Sequence, residues 1–238
     1  MQTSNWPRVV ITAGHYGSLT HVLECARILT PLDHVTIVVP AHMAARARVE
    51  IAWYDGVELV VQMRDQRTTD PLVALTHAFA RDRRADIVFL PAEFCIADPH
   101  TLAEAIRGAL EQTDTMSVIG MPPFDWKSGT QWNPFIAVGR VEAFWDELRR
   151  LQPRHAALMQ SYLDAIRTPD AGTALVHAYQ RMDPFELTRD LLAKIRTVDL
   201  STLPASALRS TRSQLISMFR GRMRAASTGQ YALRRRSA

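Results

Sequence analysis

VVITAGHYGSLT, residues 9–20, is the stretch of sequence that decides the fold. It opens on three apolar β-branched residues, typical of a buried strand, and continues through two glycines into a segment with helical spacing. A glycine loop between a strand and a helix lets free backbone N–H groups approach an anion such as phosphate. Gly14 and Gly17 therefore have two interpretations: a loop that faces a phosphate, or a tight turn from strand to helix.

Apolar runs of strand length recur along the chain and alternate with segments of helical spacing. The predicted strands are residues 9–12, 35–39, 57–61, 87–90, 116–119 and 135–138. The predicted helices are residues 19–29, 41–53, 71–81 and 100–112, followed by 141–151, 156–166 and 185–195. Such alternation predicts a three-layer α/β/α fold around a mainly parallel, mixed sheet. Ligands of such sheets bind beyond the carboxyl ends of the strands, where Gly14 and Pro91 fall.

Helix boundaries have signals of their own. Asp98 followed by Pro99 predicts an N-cap and the first residue of a helix. Pro153 and Pro169 predict the ends of two helices in the second half of the chain.

The composition is that of a globular protein with enough apolar residues to bury a core. The chain has 238 residues, of which 47% are hydrophobic and 22% are charged, and this length suits one large α/β domain. No apolar run approaches the roughly 18 to 20 residues of a membrane span, and the first residues lack the order of a signal peptide. We therefore expect a cytoplasmic protein. Cys25 and Cys95 lie in apolar segments, which predicts reduced, buried thiols.

Positive charge is concentrated at the C-terminal end of the sequence. The formal net charge is +4, and after Asp199 no acidic residue follows, whereas arginines recur from Arg209 to Arg236. We predict an α/β domain over residues 1–200 and a basic, arginine-rich extension over residues 201–238, helical or partly disordered. The extension suits a protein partner or an anionic surface, and the alternative is a solvated segment without a partner.

Two longer stretches carry a family resemblance. Residues 86–99, DIVFLPAEFCIADP, place an acidic residue after a strand that ends in Pro-Ala, and residues 131–144, QWNPFIAVGRVEAF, contain a Trp-Asn-x-Phe pattern before a helix. Together with the glycine loop they resemble the sugar-phosphate nucleotidyltransferases, in particular the mannose-1-phosphate guanylyltransferase-like branch. The chain resembles a shortened and diverged member. The resemblance implies the nucleotide-diphospho-sugar transferase-like fold and a nucleotidyltransferase-like α/β domain over residues 1–200.

The resemblance also implies which residues contact ligands. They are Gly14, His15, Gly17 and Thr68 for the nucleotide, Asn133 for the sugar and Glu93 for a metal ion, Mg²⁺. Glu93 stands where the family has a metal-binding aspartate, and Mg²⁺ accepts carboxylate oxygens as ligands. Plainer interpretations remain open: Glu93 as a loop carboxylate at a helix start, and Asn133 as the cap of a turn. Asp199 is a candidate for the family's second metal-binding aspartate, and no residue is assigned as catalytic.

The chain departs from the family pattern where cations are expected. His15 stands at the second glycine of the family's loop and Leu19 at its arginine, and an aliphatic side chain cannot imitate a guanidinium. Two functions follow as alternatives. The protein binds a nucleoside triphosphate or nucleotide sugar and transfers a nucleotidyl group to a sugar 1-phosphate, or it is an inactive member that acts as a binding or regulatory partner. A site filled by His15, Tyr16 and Leu19 favours the second.

Overall fold

The computed structural model describes residues 6–13, 19–62, 71–92, 98–112, 116–120, 136–195 and 199–202. Its strands are β1 (Arg8–Thr12), β2 (Val35–Pro40), β3 (Glu58–Gln62), β4 (Asp86–Pro91), β5 (Met116–Gly120), β6 (Ile136–Arg140) and β7 (Asp199–Thr202). Its helices are α1 (Leu19–Leu29), α2 (Ala44–Ile51), α3 (Leu72–Arg81), α4 (Pro99–Gln112), α5 (Val141–Leu151), α6 (Pro153–Ala165) and α7 (Ala171–Arg181). Within these ranges, no helix combines the length and the apolar character that a membrane crossing requires.

One mixed sheet of seven strands forms the middle layer, in the order β3-β2-β1-β4-β6-β5-β7. β1 pairs in parallel with β2 and with β4, and β2 pairs in parallel with β3. β6 runs antiparallel to both of its neighbours, β4 and β5, and β7 joins β5 in parallel. The predicted mainly parallel, mixed sheet is confirmed.

Helices cover both faces of this sheet. α1, α2 and α4 pack on one face, where the fully buried residues include Val9, Leu23 and Ile106. α3, α5, α6 and α7 pack on the other face, around buried residues such as Leu75 and Phe144. Each face of the sheet is apolar, and packed helices are needed to remove that surface from contact with water. The predicted three-layer α/β/α arrangement is therefore confirmed.

The second half of the chain differs in part from the sequence prediction. The prediction of an α-helix over residues 185–195 is wrong. A π-helical turn at Leu187–Leu191 is followed there by a 3-10 turn at Leu192–Lys194. Two turns are too few for apolar spacing to separate a period of 3.6 residues from wider or tighter turns. α7 and β7 were not predicted. β7 ends at Thr202, two residues beyond the predicted end of the α/β domain at residue 200. Residues 203–238 lie outside the described residues.

Cys25 is expected to resist thiol reagents in the folded protein. It is a free, buried cysteine on the core-facing side of α1, and burial raises the pKa of its thiol to about 12. The reactive thiolate is therefore scarce near neutral pH. In a Cys95→Ser variant, which removes the cysteine outside the described residues, a maleimide should label the protein only after denaturation. Rapid labelling of the native protein contradicts the buried position.

Candidate functional site

The carboxyl ends of β1 and β4 meet at one edge of the sheet. Thr12, the last residue of β1, is paired with Pro91, the last residue of β4. The hydrogen bonding continues past both strands: the Ala13 N–H donates to the Val38 carbonyl at 3.0 Å, and the Ala92 N–H donates to the Thr12 carbonyl at 2.9 Å. The two chain segments that leave these strands therefore start side by side.

The strand order reverses at this junction. From β1 the chain runs outward to β2 and β3, and it then crosses back to place β4 on the other side of β1. In open α/β sheets, ligands bind outside the carboxyl ends of the strands at such a reversal. This edge of the sheet is therefore the candidate ligand site.

The predicted site residues all belong to segments that join the sheet at this edge. Residues 14–18 follow β1, residues 63–70 follow β3, residues 93–97 come shortly after β4, and residues 121–135 connect β5 to β6. These segments contain Gly14, His15, Gly17, Thr68, Glu93 and Asn133, all of which lie outside the described residues. The structure thus fixes where each segment is attached, and the roles of these six residues stay predictions.

Leu19, which the resemblance aligns with an arginine, is a core residue. It begins α1, its side chain is 2% exposed, and it packs in the apolar cluster between α1 and the sheet. An arginine in this environment would have to bury its charge or leave the core. Leu19 therefore fills the core and not the ligand site, whereas His15 and Tyr16 lie outside the described residues.

The first backbone N–H of α1 donates its hydrogen bond to a carboxylate of the protein itself. The Leu19 N–H donates to Glu50 Oε2 at 3.0 Å, and Glu50 Oε1 accepts a hydrogen bond from Arg46 Nε at 2.6 Å. Arg46 and Glu50 are one turn apart on α2, so the acceptor is anchored by a neighbour on its own helix. This contact joins residues that are 31 positions apart, and sequence reasoning missed it.

Asp98 caps α4 as the sequence predicts. Its Oδ1 accepts the His100 N–H at 2.9 Å, and its Oδ2 accepts the Thr101 hydroxyl at 2.6 Å. The hydrogen bonds from Thr101 and His100 lower the pKa of Asp98 below its ordinary value. Both carboxylate oxygens are therefore engaged within the first turn of the helix.

The described residues do not assemble a metal centre. In the part of the chain that the structure describes, no group of three or more His, Cys, Asp or Glu could hold a metal ion. Asp199 begins β7 opposite Ser117, whereas Thr202 lies opposite Gly120 at the carboxyl edge. Three residues of extended strand separate Asp199 from that edge by about 10 Å. This position argues against Asp199 as the second metal-binding aspartate.

A partly buried polar cluster lies at the opposite, amino edge of the sheet, and the sequence did not predict it. His77 on α3 contacts Glu58 Oε1 through Nδ1 at 3.1 Å and the Tyr162 hydroxyl through Nε2 at 2.7 Å. The Thr36 hydroxyl donates to Glu58 Oε2 at 3.1 Å, and an Arg81 guanidinium nitrogen lies 3.7 Å from the same oxygen. These contacts join β2, β3, α3 and α6, so the cluster stabilises the fold away from the candidate site.

Glu58→Gln is expected to destabilise the protein by about 1–2 kcal/mol at neutral pH. The hydrogen bond with His77 and the charges of His77 and Arg81 lower the pKa of Glu58 below its ordinary value of 4.5, although burial opposes this. Stabilisation from a lowered pKa is present above the unfolded-state pKa and is lost as the pH falls through the folded-state pKa. In urea unfolding, the difference between wild type and variant should therefore shrink toward acid pH. Glu111→Gln, at an exposed position of α4, is the control, and a difference that widens in acid contradicts this account.

The fold is shared with solved structures of low sequence identity. A structure of mannose-1-phosphate geranyltransferase from Thermus thermophilus is 14% identical, with a TM-score of 0.66 over 83% of this chain and 74% of that chain. A structure of mannose-6-phosphate isomerase from Helicobacter pylori is 11% identical, with a TM-score of 0.63 over 83% of this chain and 97% of that chain. A structure of 4-diphosphocytidyl-2C-methyl-D-erythritol synthase is 15% identical, with a TM-score of 0.50 over 89% of this chain and 96% of that chain.

These comparisons establish the class of fold. The predicted nucleotide-diphospho-sugar transferase-like architecture is confirmed by the structural likeness and by the strand order. Neither a protein-family model nor a curated protein matches the sequence. Membership of the mannose-1-phosphate guanylyltransferase-like branch therefore stays a prediction.

Proposed function

We propose that this protein binds a nucleoside triphosphate or a nucleotide sugar at the carboxyl edge of β1 and β4. The observation that carries the proposal is the pairing of Thr12 with Pro91 at the point where the strand order reverses. The segment after β1 contains Gly14 and Gly17, which allow backbone N–H groups to approach phosphate. Of the proteins that share the fold, two are named for mannose phosphates and one for a diphosphocytidyl compound, which supports a ligand that contains a sugar phosphate or a nucleotide.

The proposed reaction transfers a nucleotidyl group to a sugar 1-phosphate. A phosphate oxygen of the sugar attacks the α-phosphorus of the triphosphate, a new P–O bond forms, and pyrophosphate leaves. Negative charge develops around the phosphorus and must be offset by positioned donors or cations. We assign the nucleotide to Gly14, His15, Gly17 and Thr68 and the sugar to Asn133, on the strength of the family resemblance.

The proposal includes Mg²⁺ with Glu93 as one ligand. Asp98, the next acidic residue after Glu93, is engaged in capping α4, and Asp199 lies at the amino end of β7. A single carboxylate leaves most of an octahedral shell to water and to phosphate oxygens. We therefore assign the ion a binding role and no step of the reaction.

Two observations favour a second candidate, a noncatalytic binding or regulatory protein with the same fold. Leu19 is buried where the family has an arginine, and Glu50 occupies the first amide of α1. Losing one donor to a developing negative charge typically costs on the order of 2.7 to 4 kcal/mol in the barrier. In this candidate the arginine-rich residues 201–238 contact a protein partner or an anionic surface.

The two candidates are separated by calorimetric titration with GTP, ATP and GDP-mannose, each with and without Mg²⁺, followed by a turnover assay. The proposed function predicts micromolar binding of at least one ligand and a metal-dependent component. In Glu93→Ala the metal-dependent component should fall by about tenfold or more, equivalent to about 1.4 kcal/mol. Glu111→Ala, at an exposed position on α4, is the matched control and should bind as the wild type does.

Three results are informative. Metal-dependent binding together with pyrophosphate release supports the transferase. Binding without turnover supports the noncatalytic candidate. Absence of binding at millimolar concentrations of all three ligands contradicts the proposed ligand class.

A further inference from the structure

β3 forms one outer edge of the sheet, and one side of its backbone has no neighbouring strand. It is the first strand in the sheet order and pairs in parallel with β2. Among the residues that the structure describes, no backbone hydrogen bond other than those to β2 ends on residues 58–61. The outer N–H and C=O groups of an edge strand are a template for pairing with another strand. β3 is therefore a candidate interaction surface.

The middle of β3 lacks the features that keep edge strands from pairing. Natural edge strands are protected by lysine, proline, a bulge or a very short length. β3 has the sequence ELVVQ, and its five residues follow β2 in continuous register. β7, at the opposite edge, has four residues, of which only Leu200 is apolar. Of the two edges, β3 is the one suited to pairing.

The two faces of β3 are covered, so its edge is the side that is left for a partner. Leu59 and Val61 pack against the core cluster on the face of α1 and α2. Val60 packs on the opposite face, against the cluster that contains Tyr162. Residues 58–61 are all half-buried. A strand laid along this edge would remove their remaining surface from water.

An exposed tryptophan lies in the connection to the same strand. Trp53 follows α2, five positions before Glu58, and its side chain is 89% exposed. Tryptophan is enriched in protein interfaces, where its large apolar side chain is removed from water. Trp53 therefore adds apolar surface next to the open edge.

The sequence of β3 is complementary to itself in the antiparallel direction. When two copies pair around Val60, that residue lies opposite itself. Leu59 then lies opposite Val61, and Glu58 lies opposite the neutral Gln62. Opposite residues of an antiparallel pair have neighbouring side chains, and like charges there are destabilising. This register brings no two charges together, whereas a parallel pair in register would place two Glu58 carboxylates side by side.

We propose that the protein forms a two-fold symmetric dimer in which the β3 strands of two copies pair antiparallel. The pairing joins the two sheets into one continuous sheet. Both copies use the same surface, so the assembly closes at two copies. The proposal is independent of the ligand, because the candidate ligand site lies at the carboxyl ends of β1 and β4, in the interior of the sheet order.

Val60→Lys and Val60→Glu test the pairing through charge. In the monomer, the introduced charge reaches water over the open edge. In the dimer, two like charges lie opposite each other. By sedimentation velocity, we expect a wild-type species with twice the 26.8 kDa mass of the chain, and for each variant alone a dissociation constant raised by about tenfold or more. An equimolar mixture of the two variants should dimerise again, because the introduced charges are then of opposite sign.

Ala157→Lys, at an exposed position of α6, is the matched control and should dimerise as the wild type does. Trp53→Ala should weaken the dimer and leave the fold intact, because its side chain is exposed. Circular dichroism checks that each variant folds. Hydrogen exchange of the wild type needs no variant: the amides of residues 58–61 should exchange more slowly at high protein concentration, with the amides of β7 unchanged.

Several results would overturn the proposal. One is a wild type that stays monomeric up to millimolar concentration. Another is a dimer that both charged variants retain, or β3 amides whose exchange does not depend on concentration, because the copies then associate through another surface. Assembly into open-ended oligomers contradicts the two-fold closure.

Discussion

Val138→Asp is expected to abolish cooperative folding at room temperature. Val138 lies on β6, with no exposed surface, in the cluster covered by α1 and α4. It is paired with Val88 on one side and Ser117 on the other, so water cannot reach an introduced carboxylate. Burial of an unpaired charge costs several kcal/mol, which is comparable to the roughly 5–15 kcal/mol stability of a whole domain.

Val49→Asp is the matched control for this substitution. Val49 is on α2 and is 73% exposed, so the same chemical change should alter the free energy of unfolding by no more than about 0.5 kcal/mol. Circular dichroism during urea unfolding measures both variants. A folded Val138→Asp protein with near wild-type stability contradicts the position of β6 inside the sheet.

Phe144→Ala should reduce the free energy of unfolding by about 3–5 kcal/mol. Phe144 is fully buried on α5, and its ring meets Phe89 of β4 edge-on, with 5.1 Å between the ring centroids. Removing the ring leaves a cavity between the sheet and the helices of the second face. The loss includes both the transfer of apolar surface and the contacts of the surrounding side chains.

Phe79→Ala provides the comparison within the same cluster. Phe79 is partly exposed at the end of α3 and stacks on Trp145 at 4.7 Å. Its truncation should cost clearly less than that of Phe144, because the neighbouring side chains and water can fill the space. Equal losses in the two variants contradict the depth assigned to Phe144.

Most of the sheet could be predicted because its first six strands carry short apolar runs. β1, β2, β4 and β5 consist largely of buried valine and isoleucine, as expected for strands covered on both faces. β7 could not be found in this way, because Asp199–Thr202 contains a single apolar residue, Leu200. α7 could have been predicted from the helical spacing of its apolar residues. Ala178 and Tyr179 are buried, and Ala174 and Leu175, one turn earlier, pack beside them.

The sequence predicted where the candidate site lies, but it did not predict which residues contact each other there. The glycine loop after β1 indicated the carboxyl edge, and the strand order supports that location. Leu19 suggested a lost arginine, but sequence spacing cannot show that this side chain is buried. The contact of Glu50 with α1 spans 31 residues, and only the packing of α2 against α1 brings the two together.

The most direct test of the ligand site is the backbone amide spectrum of the protein during titration with GDP-mannose and with GTP. The Ala13 and Ala92 amides bridge the strand ends at the carboxyl edge, whereas the Asp82 and Glu142 amides lie at the amino edge. A site between β1 and β4 predicts saturable shifts at Ala13 and Ala92, with Asp82 and Glu142 unchanged. Saturable shifts confined to Asp82 and Glu142 contradict the assignment of the ligand site to the carboxyl edge.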